Sequence, residues 1–142
     1  MYKNFIPNYL RILTYNVEWG FLNLPKDIIH DAGNHKIPNN IEAQEEHLKL
    51  IAKNIGLSSP HICFMQEMGS INAVQYVADL LKKYYGLIYR IHYSGVGIGY
   101  QGIGTLVHES IVYYSSSVIE SFGMHRAFQI TTNGMTFIGL HA

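Results

Sequence analysis

Two residues of this chain sit where an apolar run hands over to a polar side chain that could do chemistry. Asn16 follows the run in LTYNVEWG, and Glu67 follows the run in HICFMQEM. A carboxylate at such a place is costly to bury unless a cation or a hydrogen-bond network compensates it. In layered α/β sheets, ligand sites gather at the carboxyl ends of strands. Mg²⁺ takes oxygen ligands, commonly one or two carboxylates, with waters and substrate phosphate completing an octahedron. One well-placed glutamate therefore suffices as its main anchor. Asn16 could hold that glutamate, a water or a phosphate oxygen without adding charge. Each residue also has a plainer reading, Asn16 as a strand-terminal turn residue and Glu67 as a solvated strand end or a cap for the helix that follows.

The elements that must position them are legible from periodicity. Residues 10–17 (LRILTYNV) carry apolar side chains on both faces and read as a buried strand. Residues 21–40 hold two prolines, a glycine and several asparagines without periodicity, and read as a long loop. A helix follows, with Asn39 and Glu42 spaced as a capping box, Ile41, Leu48, Ile51, Ala52 and Ile55 along one face, and Gly56 as its stop. After Pro60, the centre Ile62 to Met65 is too short for a helix and suits an interior strand. A second helix spans residues 70–85, with Ala73, Val74, Val77, Ala78, Leu81 and Tyr85 as its stripe, Lys82 and Lys83 near its negative end, and Gly86 as the stop.

From Leu87 the pattern turns β-rich: LIYRIHY, TLVHESIVYY, SSVIESF, RAFQITT and MTFIGLH. The last two are joined at Asn133–Gly134, whose tolerance of positive φ marks a type I′ hairpin. The order strand, helix, strand, helix and then strands predicts a layered α/β (α+β) fold with a mixed sheet flanked by helices. The stretch 94–104 reads as a flexible loop on the substrate side, with Tyr93 and Tyr100 available to a phosphate or base. Gly97, Gly99 and Gly102 spell G-x-G-x-x-G, but strand rather than helix follows, so a dinucleotide site is rejected. His30 and His35 lack the further ligands of a zinc site. Trp19 reads as a core cover, and Cys63, mid-strand, as an inert core thiol.

Composition narrows the function classes. The 142 residues are 48% hydrophobic, and ten basic residues balance ten acidic ones. A globular chain with no global attraction for nucleic acid or anionic membrane is expected, so phosphate recognition must be local. A single cysteine excludes an internal disulfide and suits a reducing compartment. No apolar run approaches the roughly 18 residues of a membrane span, and the start lacks a signal-peptide pattern. A soluble cytoplasmic protein without a membrane span is expected.

Taken together, ILTYNV, ICFMQE, GIGTLVHES and TFIGLHA, in that order, resemble the opening half of the endonuclease/exonuclease/phosphatase superfamily, the deoxyribonuclease I-like proteins. The resemblance implies that Glu67 is the metal-binding glutamate, with Asn16 beside it in the metal site. His141, at the end of the hairpin's return strand, is then the catalytic histidine. It further implies an enzyme, a Mg²⁺-dependent (Mn²⁺ also acceptable) phosphoric-ester hydrolase, namely a nuclease or related phosphodiesterase acting on a phosphate ester such as nucleic acid. A sphingomyelinase or inositol-phosphate phosphatase is the alternative within that class, and a noncatalytic half-domain serving as an interaction module is the alternative outside it. The family's later Asp-x-Asn segment, second acidic residue and Ser-Asp-His ending are absent. Residues 1–142 therefore read as a partial domain without its carboxyl-terminal half, about half of a four-layer α/β-sandwich. It should be weak or inactive until that half, or a partner chain, completes it. One sheet face, bearing Leu106, Ile111, Phe128, Ile130, Phe137 and Ile138, is expected to lack a cover.

Overall fold

A computed structural model describes residues 9–23, 40–96, 101–122 and 125–141. The described chain runs β1 (Ile12–Gly20), α1 (Ile41–Ser58), β2 (Ile62–Met68), α2 (Ile71–Tyr85), β3 (Tyr89–Tyr93), β4 (Gly102–His108), β5 (Ser115–Phe122), β6 (His125–Thr132) and β7 (Met135–Gly139). Four strands form a mixed sheet in the order β1-β2-β4-β3, with β1 parallel to β2 and the other neighbours antiparallel. Strands β5, β6 and β7 form a second, antiparallel sheet in sequence order.

Alternation along β2 decides which layer each residue joins. Cys63 and Met65 face the helices, where Leu48, Ile51, Ala52 and Ile55 of α1 and Val74, Val77 and Leu81 of α2 bury their stripes. Ile62 and Phe64 point the other way and meet Ile103, Val107, Ile111, Phe128 and Ile130 between the two sheets. The result is three layers: helices, mixed sheet, second sheet. Both helices start on a side-chain cap. Asn40 accepts from the Ala43 N–H at 2.7 Å, and Ser70 accepts from the Ala73 N–H at 3.1 Å.

Several expectations are corrected. The cap of α1 is Asn40, one residue after the expected Asn39, which lies outside the described residues. Ile41 falls in the first turn and is exposed. Gly56 does not stop α1, which continues to Ser58 and ends on Ser59 at φ 46°. A side chain at Gly56 would instead overlap the Tyr85 ring, so the glycine lets α2 pack close. The run 105–114 is not one strand. The Ser110 N–H donates to His108 Nδ1 at 3.2 Å and the Ile111 N–H to the His108 carbonyl at 3.0 Å, and this turn carries the chain from one sheet to the other. The face expected to lie open is largely covered, because β6 places Phe128 and Ile130 over it. Leu106 belongs to the helix-side core, and of the six residues only Ile138 is exposed. The expected hairpin is present, with Asn133 at φ 51° and Gly134 at φ 72°. Cys63 is fully buried, and burial pushes its thiol up. His30, His35, Gly97, Gly99 and Tyr100 lie outside the described residues. Among the described residues no helix is long and apolar enough to cross a membrane.

Candidate active site

The three residues singled out in the sequence converge at one end of the mixed sheet. Asn16 Nδ2 donates to Glu67 Oε1 at 3.0 Å, and His141 Nε2 lies 3.2 Å from the same oxygen. The other carboxylate oxygen accepts from the Trp19 backbone N–H at 3.2 Å. Asn16 is itself held, since its Oδ1 accepts from the Glu18 N–H at 3.0 Å.

Local backbone irregularity creates this arrangement. β1 and β2 pair in regular register up to Asn16–Gln66, and their next pair is Gly20–Met68, so two extra residues bulge from β1. β2 in turn bulges by one residue against β4, between Met65 and Met68. The bulged residues Glu18, Trp19 and Glu67 have φ of 50°, 67° and 65°, a region that bulky L-residues rarely adopt. A bulge re-aims one side chain out of the pleat. Here it turns Glu67 towards Asn16 and presents the Trp19 N–H to it. Such strain persists only where surrounding contacts over-determine it, and those contacts are present. His47 of α1 donates from Nε2 to the carbonyls of both Val17 and Glu18, at 2.7 and 2.8 Å, which requires that nitrogen to carry the proton. Gln66 reaches back to the Thr14 hydroxyl at 2.6 Å, and the Gly69 N–H donates to the Gly20 carbonyl at 2.8 Å.

His141 arrives from the other sheet. Gly139 is buried against Phe64 of β2, and a Cβ there would overlap that ring, so a glycine is what lets β7 approach close enough for His141 to meet Glu67. Beside His141 a small cleft, partly open to solvent, is also lined by Gln101, Gly102, Ile103 and Arg126. Arg126 donates to the Ser94 carbonyl at 2.9 Å and brings a guanidinium into the cleft. The sequence does not single out His47, Arg126 or the Trp19 N–H. Nothing in a helical histidine, a strand arginine or a backbone amide marks it before the fold is known. The Tyr93 proton is committed, since its hydroxyl donates to the Met68 carbonyl at 2.9 Å, and burial pushes it up to about 12. Gly102 and Gly104, expected in a flexible loop, are buried in β4. The Trp19 ring stacks on Phe21, a core cover as expected.

Could these residues hold a metal? A carboxylate offers about four acceptor positions, and the contacts from Asn16, Trp19 and His141 occupy three. No group of three or more His, Cys, Asp or Glu gathers among the described residues. That donor set does not fit a closed zinc site. It does fit a hard cation that binds through one carboxylate and keeps its waters, as Mg²⁺ and Mn²⁺ do.

The three layers, with the polar cluster at the carboxyl ends of β1 and β2, have counterparts among solved structures. An endonuclease/exonuclease/phosphatase family protein from Leptotrichia buccalis C-1013-b matches 94% of this chain with a TM-score of 0.54. The fold is that of the endonuclease/exonuclease/phosphatase proteins. Identity to that structure is 17%, and the match covers 53% of it. Truncated Caenorhabditis elegans TDP2 matches 92% of the chain at 18% identity and a TM-score of 0.52, over 44% of its own length. D. rerio TDP2 complexed with single strand DNA product matches 91% at 20% identity and a TM-score of 0.50, over 43% of its length. The chain thus spans about half the length of the structures it resembles. No protein-family model and no curated protein matches the sequence.

Proposed function

We propose that this chain carries the amino-terminal part of a Mg²⁺-dependent phosphoesterase site of the nuclease or phosphodiesterase kind. The observation that carries the reading is the Glu67 carboxylate, turned out of its strand by a bulge and met by the Asn16 amide, the Trp19 N–H and the His141 imidazole. Glu67 holds the cation, with Asn16 as the residue that orients the carboxylate and borders the metal position. A Mg²⁺ ion bound there supplies charge stabilisation to a phosphoryl oxygen and to the leaving oxyanion. His141, poised between Glu67 and the cleft, donates to a non-bridging oxygen of the substrate, and Arg126 adds positive charge to the same cleft. Support for a nucleic-acid phosphodiester comes from the fold shared with a TDP2 structure that holds a single-strand DNA product.

In this reading a carboxyl-terminal half, on the same polypeptide or on a partner, supplies the group that activates water and covers the apolar residues still exposed at Val118, Met135, Ile138 and Leu140. Calorimetric titration of the chain with Mg²⁺ and Mn²⁺ tests the proposal. Glu67→Gln is expected to lose most of the binding heat while its thermal unfolding stays cooperative. Unchanged heat in that variant removes Glu67 from the site and the metal-dependent reading with it.

A further inference from the structure

We propose that Gln101 is a substrate-binding residue whose side-chain amide donates to a phosphate oxygen in the cleft beside His141. The proposal rests on the phosphoesterase reading and names a contact that reading leaves open. Gln101 directly precedes β4 and is only 9% exposed, yet its Nε2 has no hydrogen-bond partner. Buried amide nitrogens are nearly always paired, because an unmade hydrogen bond forfeits the hydration the group had in water. Among the described residues, the one other buried side-chain polar atom in this condition is the Thr105 hydroxyl. Thr105 is not among the residues that line the cleft, whereas Gln101 is.

The chemistry of the lining says what would satisfy that amide. Among the described residues that line it, those with polar side chains are Gln101, Arg126 and His141, and none is a carboxylate. One N–H of Arg126 is committed to the Ser94 carbonyl, which fixes the guanidinium at the wall. A cleft walled by a fixed cation and an unpaired donor suits an anionic oxygen acceptor. Arg126 contributes charge, which is indifferent to the exact direction of approach. Gln101 contributes a neutral donor that can be buried without the cost of desolvating an ion. A buried donor that only the correct ligand satisfies discriminates strongly against ligands lacking the acceptor. Gln101 is therefore assigned to selecting and orienting the phosphate, with no role in bond breaking.

Nitrogen-15 NMR of the full chain reads this directly through the Gln101 side-chain amide signals. Inorganic phosphate and the dinucleoside monophosphate of thymidine, titrated separately, distinguish a free phosphate from a phosphodiester within a strand. The Gln101 amide signals are expected to shift and saturate with at least one of the two. Gln101→Glu, which exchanges the donor for a charged acceptor of the same shape, is expected to weaken that binding by roughly 10-fold or more, the loss anticipated for a hydrogen bond to a charged group. Amide signals unmoved by both ligands overturn the proposal, as does binding by Gln101→Glu within about twofold of the parent. Should Gln101→Glu fail to fold, the parent amide signals decide alone. The metal reading stands or falls separately, on the Mg²⁺ heat of Glu67→Gln. A Gln101 response that survives while that heat is unchanged sinks the metal reading only, and a silent Gln101 beside a Glu67-dependent heat sinks only the present one.

Discussion

At the end of the mixed sheet where β1 and β2 finish, three non-glycine residues hold positive φ, two strand pairs lose register and a carboxylate gathers donors from three directions. At the opposite end, where β1 and β2 begin and β4 finishes, the same strands pair without interruption. There the Arg11 carbonyl accepts from the His61 N–H at 2.8 Å, and the His61 carbonyl accepts from the His108 N–H at 2.8 Å. The His61 ring stands edge-on to the His108 ring, and the Tyr89 hydroxyl closes on the Pro60 carbonyl at 2.7 Å. Both histidines accept through Nδ1, from the Arg11 N–H at 2.9 Å and the Ser110 N–H at 3.2 Å. One end spends conformational strain to aim a side chain; the other satisfies its backbone and seals the sheet. Strain of order 1–3 kcal/mol per residue survives only where something over-determines it, so the contrast separates the end of the sheet that aims a side chain from the end that is closed by its own backbone.

The sharpest way to break that contrast is to cross the two ends. Ile62→Ala, in the wholly buried start of β2, should cost about 2–5 kcal/mol in urea unfolding, as large-to-small changes in packed cores do, and leave Mg²⁺ affinity alone wherever the chain is folded. A loss of metal affinity in the folded variant would show that the two ends are not separable. Asn16→Ala should do the reverse. Removing a partner that orients a metal ligand typically weakens binding by roughly 10–100-fold, and Asn16 is exposed, so little apolar burial is lost. Equal Mg²⁺ affinity in parent and variant would mean that Asn16 does not orient Glu67.

A smaller effect is expected from pH, and it belongs to the far end. Burial is the first cause that lowers His61, and the positive charges of protonated His108 and of Arg11 add to it; burial also lowers His108, against the raising influence of Glu109. A histidine held below its ordinary value of about 6.5 leaves the folded chain with fewer bound protons than the unfolded chain, so stability rises with pH across that interval. The contribution is fully present above about 6.5 and is lost as pH falls through the folded values. Protonation would also convert each Nδ1 from acceptor to donor and break the bond it makes to a backbone N–H. Urea unfolding at successive pH values should show stability falling from neutral towards pH 5, with a shallower slope in His61→Gln. His92, lowered by burial and by Arg90, adds to the same slope from β3. An unchanged slope in His61→Gln would remove the far end as its source.

Much of the scaffold was legible in local pattern. The stripes of both helices apart from the exposed Ile41 and Tyr85, the buried centre of β2 and the Asn133–Gly134 turn follow from periodicity and turn chemistry, and the structure holds them. Asn16 and Glu67 could be picked out because each ends an apolar run, and His141 because its motif follows that hairpin. The misread elements are those whose outcome depends on distant contacts. Gly56 looks like a helix stop, yet Tyr85, twenty-nine positions on, is what its missing side chain accommodates. The 105–114 run is the exception, since it looks like one strand and a local turn from His108 to Ser110 breaks it. Leu106, Ile111, Phe128, Ile130, Phe137 and Ile138 read as a face awaiting a cover, although β6 itself is much of the cover.

By itself, then, the sequence determined which residues are candidates and which elements carry them, because apolar period and turn propensity act over a few residues at a time. Only the tertiary structure decided how they meet. A glutamate has no intrinsic preference for positive φ, and nothing in HICFMQEM announces that its last carboxylate will leave the pleat. That conformation is imposed by the Trp19 N–H, the Asn16 amide and the misfit of β2 against β4, while His47 pins the neighbouring bulge from a helix that the sequence separates from it by the long segment after β1. Each contact is long-range, so its energy depends on the closed fold and leaves no mark on local composition. The Gln101 amide is the same case in reverse: a common polar residue becomes informative only once burial has removed its water.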